Sequence, residues 1–184
     1  MIMECQARGP QGAERSYFKI LLIRFDQTAE IDSQCDMTPV RKIDPDRIVI
    51  DGQGGGTNIT AALQLALGRL RPYMESLSYH PEHAEHPIPL ILLFSDGAHN
   101  VGAGPQPVAD EIKRLNLDGE PVVIAAAGVS VGGDVPDENT LRQIASPGCY
   151  VPITDAHALS AFISSVGSSG ASRALDVASA IYRL

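Results

Sequence analysis

Cysteine is scarce in this chain and unpaired. Cys5, Cys35 and Cys149 lie far apart, and none belongs to a Cys-x-x-Cys pair. So small and odd a set fits reduced thiols in a reducing compartment better than a disulfide framework. Positive charge is also short, with 14 Lys and Arg against 22 Asp and Glu and a net charge of −8. That balance argues against a nucleic-acid footprint or an anionic membrane surface as the partner. No basic segment followed by an apolar stretch opens the chain, and no apolar run reaches the length of a membrane span. These absences predict a cytoplasmic protein. Internal repeats are lacking too, and the only low-complexity stretch is "SVGSSGAS".

What is present is ordinary for a globular domain. A chain of 184 residues, 44% hydrophobic and 20% charged, is long enough to bury a sizeable core as one domain. "SYFKILLIRF" (Ser16 to Phe25), "LILLFSDG" (Leu90 to Gly97), "PVVIAAAGVS" and "CYVPIT" read as strands, the first three apolar enough to be buried on both faces. "TAEIDSQCDMTPV" is weaker, interrupted by polar residues and Pro39, and suits an edge strand or loop. Helical spacing predicts a helix from Asn58 to about Leu77 through Ile59, Leu63, Leu67 and Leu70. It predicts another after Pro107 through Val108, Ile112 and Leu115, and a short one over Asp137–Ala145 opened by acidic residues. Asp155 is placed to cap the helix "AHALSAFISSV". A last helix runs through Leu175, Ala178, Ile181 and Tyr182. Strands alternating with helices predict an α/β fold with a mostly parallel sheet.

One stretch asks for an explanation. In "DGQGGGTNITAALQLAL" three glycines, Gly54, Gly55 and Gly56, precede Thr57 and Asn58. Ordered glycine costs backbone entropy, so a run of it marks a tight turn or close backbone approach. Thr and Asn are also good helix caps. In open parallel sheets ligands bind beyond the carboxyl ends of the strands. Asp96 stands at such an end, and Thr57, opening the next helix, is expected at the same edge. A hydroxyl, a carboxylate and water are the oxygen donors that suit Mg²⁺ or another hard divalent cation. A capping Thr and an Asp-Gly turn are the structural alternatives.

The order of these stretches resembles a von Willebrand factor A domain over roughly Ser16 to Val166. "ILLIRFDQTAEI" is similar to that family's second strand and "GGTNITAALQLA" to its threonine loop and helix. "LILLFSDG" is similar to the strand ending in its metal-site aspartate, and the stretch from "VVIAAAGVS" to "AFISSV" to its closing strands and helices. Among variants it looks most like the short bacterial intracellular members associated with tellurium and stress resistance. The resemblance implies an α/β fold with a three-layer, doubly wound, mostly parallel sheet, and a non-enzymatic protein-binding module. Thr57 would ligate a divalent cation, Mg²⁺ or similar, through its hydroxyl. Asp96 would act through water or directly, and an acidic side chain of a partner protein would complete the coordination. A metal-independent scaffold subunit of the same fold is the alternative.

The resemblance is incomplete. The family's first strand and its Asp-x-Ser-x-Ser motif have no counterpart; "DQTAE" (Asp26 to Glu30) and "DSQCD" (Asp32 to Asp36) do not fit it. "MIMECQARGP" looks like the end of a helix stopped by Gly9 and Pro10. The expected division is therefore a remnant of a first helix and loop at 1–15, the domain at 16–166, and a Gly/Ser break with a C-terminal helix at 167–184. A missing central strand leaves on the order of ten ladder hydrogen bonds unmade, each worth about 0.5–1.5 kcal/mol. The expectation is that the natural chain begins upstream, or that another segment or another copy of the chain fills the gap, with oligomerisation as one outcome.

Two further patterns carry chemistry. "GVSVG" (Gly128 to Gly132) satisfies Gly-x-Ser-x-Gly, with His157 downstream, but "GGDVPD" separates Ser130 from the next helix, whereas a nucleophile elbow needs a sharp strand-to-helix turn. A serine hydrolase at Ser130 is thus a remote alternative. His80, His83 and His86, with His99, invite a zinc reading, yet the first three lie in a proline-rich loop without the usual ligand spacing. A solvated loop is the better expectation.

Overall fold

The computed structural model describes residues 19–48, 55–78, 89–117, 119–130, 135–155 and 157–162. The helix end and loop expected at 1–15, the C-terminal helix at 167–184, Gly54, and His80, His83 and His86 lie outside the described residues.

The protein is mixed α/β, built on a three-stranded parallel sheet. Strand β5 (Leu90–Ser95) pairs with β8 (Val123–Val129), and β8 pairs with β9 (Tyr150–Ile153). β8 lies in the middle and is buried along Val123–Gly128, as a strand flanked on both edges and covered on both faces must be. Its residues alternate between two cores. Ile124 and Ala126 join Ile59, Leu63, Leu70, Leu93, Ile112, Leu141 and Ile144 on one side. Val123, Ala125 and Ala127 join Cys149, Ile153 and Phe162 on the other. Helices α1 (Ile59–Ser78), α2 (Gln106–Arg114) and α3 (Glu138–Ile144) feed the first core, and the helical residues 157–162 feed the second. Phe94 of β5 meets Phe162 edge-to-face at 5.8 Å between ring centroids, a favoured aromatic geometry.

Helix boundaries follow the sequence signals closely. Asp137 caps α3 by accepting the Thr140 N–H at 3.1 Å, and Asp155 accepts the Ala158 N–H at 2.8 Å. α2 buries Ala109 and Ile112, with Val108 and Leu115 packed alongside.

The first apolar run departs from expectation. Instead of one strand buried on both faces, Ser16 to Phe25 contains two short described strands, β1 (Lys19–Ile20) and β2 (Ile23–Phe25). Both pair antiparallel, β1 with β4 (Thr38–Pro39) and β2 with β3 (Ala29–Ile31). The intervening Leu22 exchanges bonds with Asp32 and Cys35, which carries the chain across the break. Ile23, Arg24 and Phe25 are half-buried, as in a hairpin with one covered face. Two 3₁₀ turns (Val40–Lys42 and Pro45–Arg47) and a small hairpin, β6 (Asn116–Leu117) with β7 (Glu120–Pro121), have no clear periodic signal in the sequence.

Candidate functional site

Three chain reversals meet at the carboxyl edge of the strands. The first is the β2–β3 turn, where Asp26 Oδ1 accepts the Thr28 N–H at 2.8 Å. The second is the segment entering α1, and the third is the loop leaving β5.

Hydrogen bonds lock them together. The Asn58 N–H donates to the Asp26 carbonyl at 2.6 Å, and its Nδ2 donates to the Gln27 carbonyl at 3.2 Å. Thr57 and Asn100 bond reciprocally: the Thr57 N–H donates to Asn100 Oδ1 at 2.8 Å, and the Asn100 N–H to the Thr57 carbonyl at 3.1 Å. The Thr60 hydroxyl donates to the Ala103 carbonyl, which His99 Nε2 also approaches at 2.9 Å. Gly56 explains part of the glycine run. A Cβ there would sit 2.9 Å from both Gln27 Cγ and Val101 Cγ2, so a side chain would push the three reversals apart.

Asp96 follows β5 directly. Its Oδ1 accepts the Ala98 N–H at 3.0 Å, and its carbonyl accepts the Asp137 N–H at 2.7 Å, tying the strand end to the start of α3. Gly97 makes that join possible, because its φ is +77° and a Cβ would lie 2.6 Å from the Asp137 carbonyl oxygen. Asp137 is held ionised below the usual carboxylate range, first by the Thr140 hydroxyl and then by the Thr140 N–H.

The capping alternative for Thr57 is corrected by this geometry. The residue whose side chain caps α1 is Asn58, whose Oδ1 accepts the Ala61 N–H at 3.0 Å. The Thr57 backbone is committed to Asn100. Among the described residues its hydroxyl, like Asp96 Oδ2, makes no hydrogen bond. Thr57 and Asp96 thus flank one locked loop, each with an oxygen that no described residue engages. No group of three or more His, Cys, Asp or Glu that could hold a metal exists among the described residues. The donors fit a cation only as part of its shell, with water or a partner supplying the rest.

Asn100, Gln27 and Asp137 shape this edge; the sequence marks Asp137 as the opening of a helix but gives Asn100 and Gln27 no role. The only signal was a polar, glycine-rich loop, "DGAHNVGAG", directly after a strand. His99 stands in it, its Nδ1 buried and, among the described residues, without a hydrogen-bond partner. Ser130 is exposed after β8, and the next described helix begins at Glu138. Among the described residues it makes no hydrogen bond to a histidine or carboxylate. No helix among the described residues is long and apolar enough to cross a membrane.

No protein-family model matches the chain, and no curated protein matches it.

Proposed function

We propose that this chain is a cytoplasmic, non-enzymatic protein-binding module of the von Willebrand factor A type, with the three-layer doubly wound arrangement of that fold. A divalent cation such as Mg²⁺, held weakly by Thr57 and Asp96, assists binding, and an acidic side chain of the partner protein completes the coordination. The observation that carries this reading is the reciprocal Thr57–Asn100 pair. It fixes the Thr57 loop against the loop leaving Asp96 while using neither the Thr57 hydroxyl nor Asp96 Oδ2. With two protein oxygens, affinity is expected near millimolar or weaker, since poorly charged, low-ligand sites bind weakly. The net charge of −8 supports a protein partner over nucleic acid. The likeness to bacterial stress- and tellurium-resistance proteins belongs to the same proposal.

The test is titration with Mg²⁺ alone, followed by backbone amide shifts. Shifts confined to Thr57, Asp96, Ala98 and Asn100, lost in both Thr57→Ala and Asp96→Asn, are the expected result. A silent titration would leave a second reading, a metal-independent scaffold subunit. That reading rests on the sequence lacking the Asp-x-Ser-x-Ser motif of that family.

A further inference from the structure

The side chain of Asn100 is divided between two directions. An N–H can only donate, so the Thr57 N–H at 2.8 Å must face the amide oxygen, which fixes the orientation of the Asn100 amide. The amide nitrogen diverges from that oxygen at one planar carbon and so turns away from the Thr57 N–H. The backbone beneath is close, because a Cβ on Gly56 would stand 3.2 Å from Asn100 Oδ1. Asn100 itself is exposed. One half of the amide holds the Thr57 loop, and the other half is a pair of N–H donors beside it.

Neighbouring donors serve acceptors of the chain's own. The Thr28 hydroxyl donates to Asp26 Oδ1, Asn58 Nδ2 to the Gln27 carbonyl, and the Thr140 hydroxyl to Asp137 Oδ2. The Thr60 hydroxyl and His99 Nε2 both bond to the Ala103 carbonyl. The Thr57 clasp, in contrast, uses only the Oδ1 and the backbone N–H of Asn100. An aspartate would accept the Thr57 N–H equally well, so the clasp by itself does not account for an amide at this position.

We propose that the Asn100 side-chain amide reads the acidic side chain of the partner protein, donating to the carboxylate oxygen that the cation does not take. This assignment rests on the cation reading given above. A carboxylate held by a cation through one oxygen keeps a second oxygen that can only accept. An N–H donor beside the cation satisfies that oxygen, whereas a carboxylate in its place would repel it. Asp26, Asp96 and Asp137 already stand at this edge, so a neutral donor recognises an incoming anion without adding to the negative charge. The same donor selects carboxylate over carboxamide. With its carbonyl oxygen on the cation, a partner glutamine would turn its own N–H donors toward those of Asn100, donor against donor.

The test uses the full chain, Mg²⁺ and two capped tripeptides, Gly-Glu-Gly and Gly-Gln-Gly, followed by NMR of backbone and side-chain amides. Mg²⁺ is first raised until the Thr57 and Asp96 backbone shifts saturate. The glutamate peptide should then move the Asn100 side-chain N–H signals. It should bind at least about tenfold more tightly than the glutamine peptide, the effect of one hydrogen bond to a charged group. Asn100→Asp keeps an acceptor for the Thr57 N–H, and hydrogen exchange at the Thr57 amide checks that the clasp survives. With the clasp intact, this variant should lose the preference for glutamate; should the clasp open, the wild-type ratio still decides. A merely structural Asn100 would leave the preference unchanged in the variant and overturn the proposal. A peptide shift at the Gln27 side-chain amide with none at Asn100 would also overturn it. So would an Asn100 side-chain amide already protected from exchange in the free chain, since the chain itself would then hold it. A silent Mg²⁺ titration would remove the cation reading and this proposal together. A Mg²⁺ response without the glutamate effect would remove this proposal alone.

Discussion

Thr57 and Asn100, 43 residues apart in sequence, are joined by a two-bond clasp of backbone and amide groups. The clasp assigns separate tasks to two adjacent polar residues. Asn58 caps α1, and Thr57 holds the loop that leaves β5 while its hydroxyl makes no hydrogen bond among the described residues. Asn58→Ala should therefore cost about 0.5–2 kcal/mol, the usual loss of an N-cap, whereas Thr57→Ala should stay within about 0.5 kcal/mol of wild type. Urea unfolding of both variants decides this. Equal losses, or a larger loss at Thr57, would show that the Thr57 side chain is structural.

Gly97 is the hinge between β5 and α3. At φ +77° an L side chain is strained, and a Cβ would stand 2.6 Å from the Asp137 carbonyl oxygen. Left-handed backbone alone costs a non-glycine residue roughly 1–2 kcal/mol, and the clash adds to it. Gly97→Ala should lower stability by more than about 2 kcal/mol. Gly104→Ala, where a Cβ meets nothing within 4 Å, should be nearly silent. Thermal melts that give the two variants the same midpoint would contradict the geometry.

The parallel core was legible because its signals are local. Leu90–Ser95 and Val123–Val129 are continuous apolar runs ending in turn residues, and Asp137 and Asp155 announce their helices by capping chemistry. The stretch from Ser16 to Phe25 has the same apolar character, but its described part, Lys19–Phe25, forms two short antiparallel-paired strands. Apolar composition does not reveal which partner a strand finds, and the partner here lies only a few residues ahead at Ala29–Ile31. At the candidate site, Thr57 and Asp96 were readable from their places at a helix start and a strand end. Asn100 was not, because its role depends on a contact made across 43 residues, which leaves no periodic trace. The glycine run was explained only at Gly56, where Gln27 and Val101 crowd the backbone.

Asp137 should give the fold a measurable acid sensitivity. Its carboxyl lies below the ordinary value because the Thr140 hydroxyl, at 2.7 Å, and then the Thr140 N–H favour the charged form. A carboxylate with a depressed folded pKa contributes stability that is fully present above its unfolded value, and that contribution is lost as pH falls through the folded value. The window therefore opens near the ordinary Asp value of 3.8 and extends below it. Asp137→Asn keeps a capping oxygen and removes the titration. Its stability should fall less steeply than wild type in denaturant curves taken from pH 5 downward. Parallel curves for the two proteins would mean that solvent screening cancels the effect at this exposed position.

The two central strands should respond differently to the same truncation. Ile124, in β8, is fully buried with strand neighbours on both sides, so Ile124→Ala removes packed atoms from a site unable to refill. A cost of about 2–5 kcal/mol follows from the cavity left behind. Leu92, in β5, also faces a core but is only half-buried. Part of its side chain already meets solvent, so Leu92→Ala should cost about 1–2 kcal/mol, scaling with the smaller apolar area returned to water. The two variants measured by urea denaturation, with unchanged slopes, should differ by at least about 1 kcal/mol. If Leu92→Ala proves as damaging as Ile124→Ala, then β5 is enclosed in solution as completely as β8.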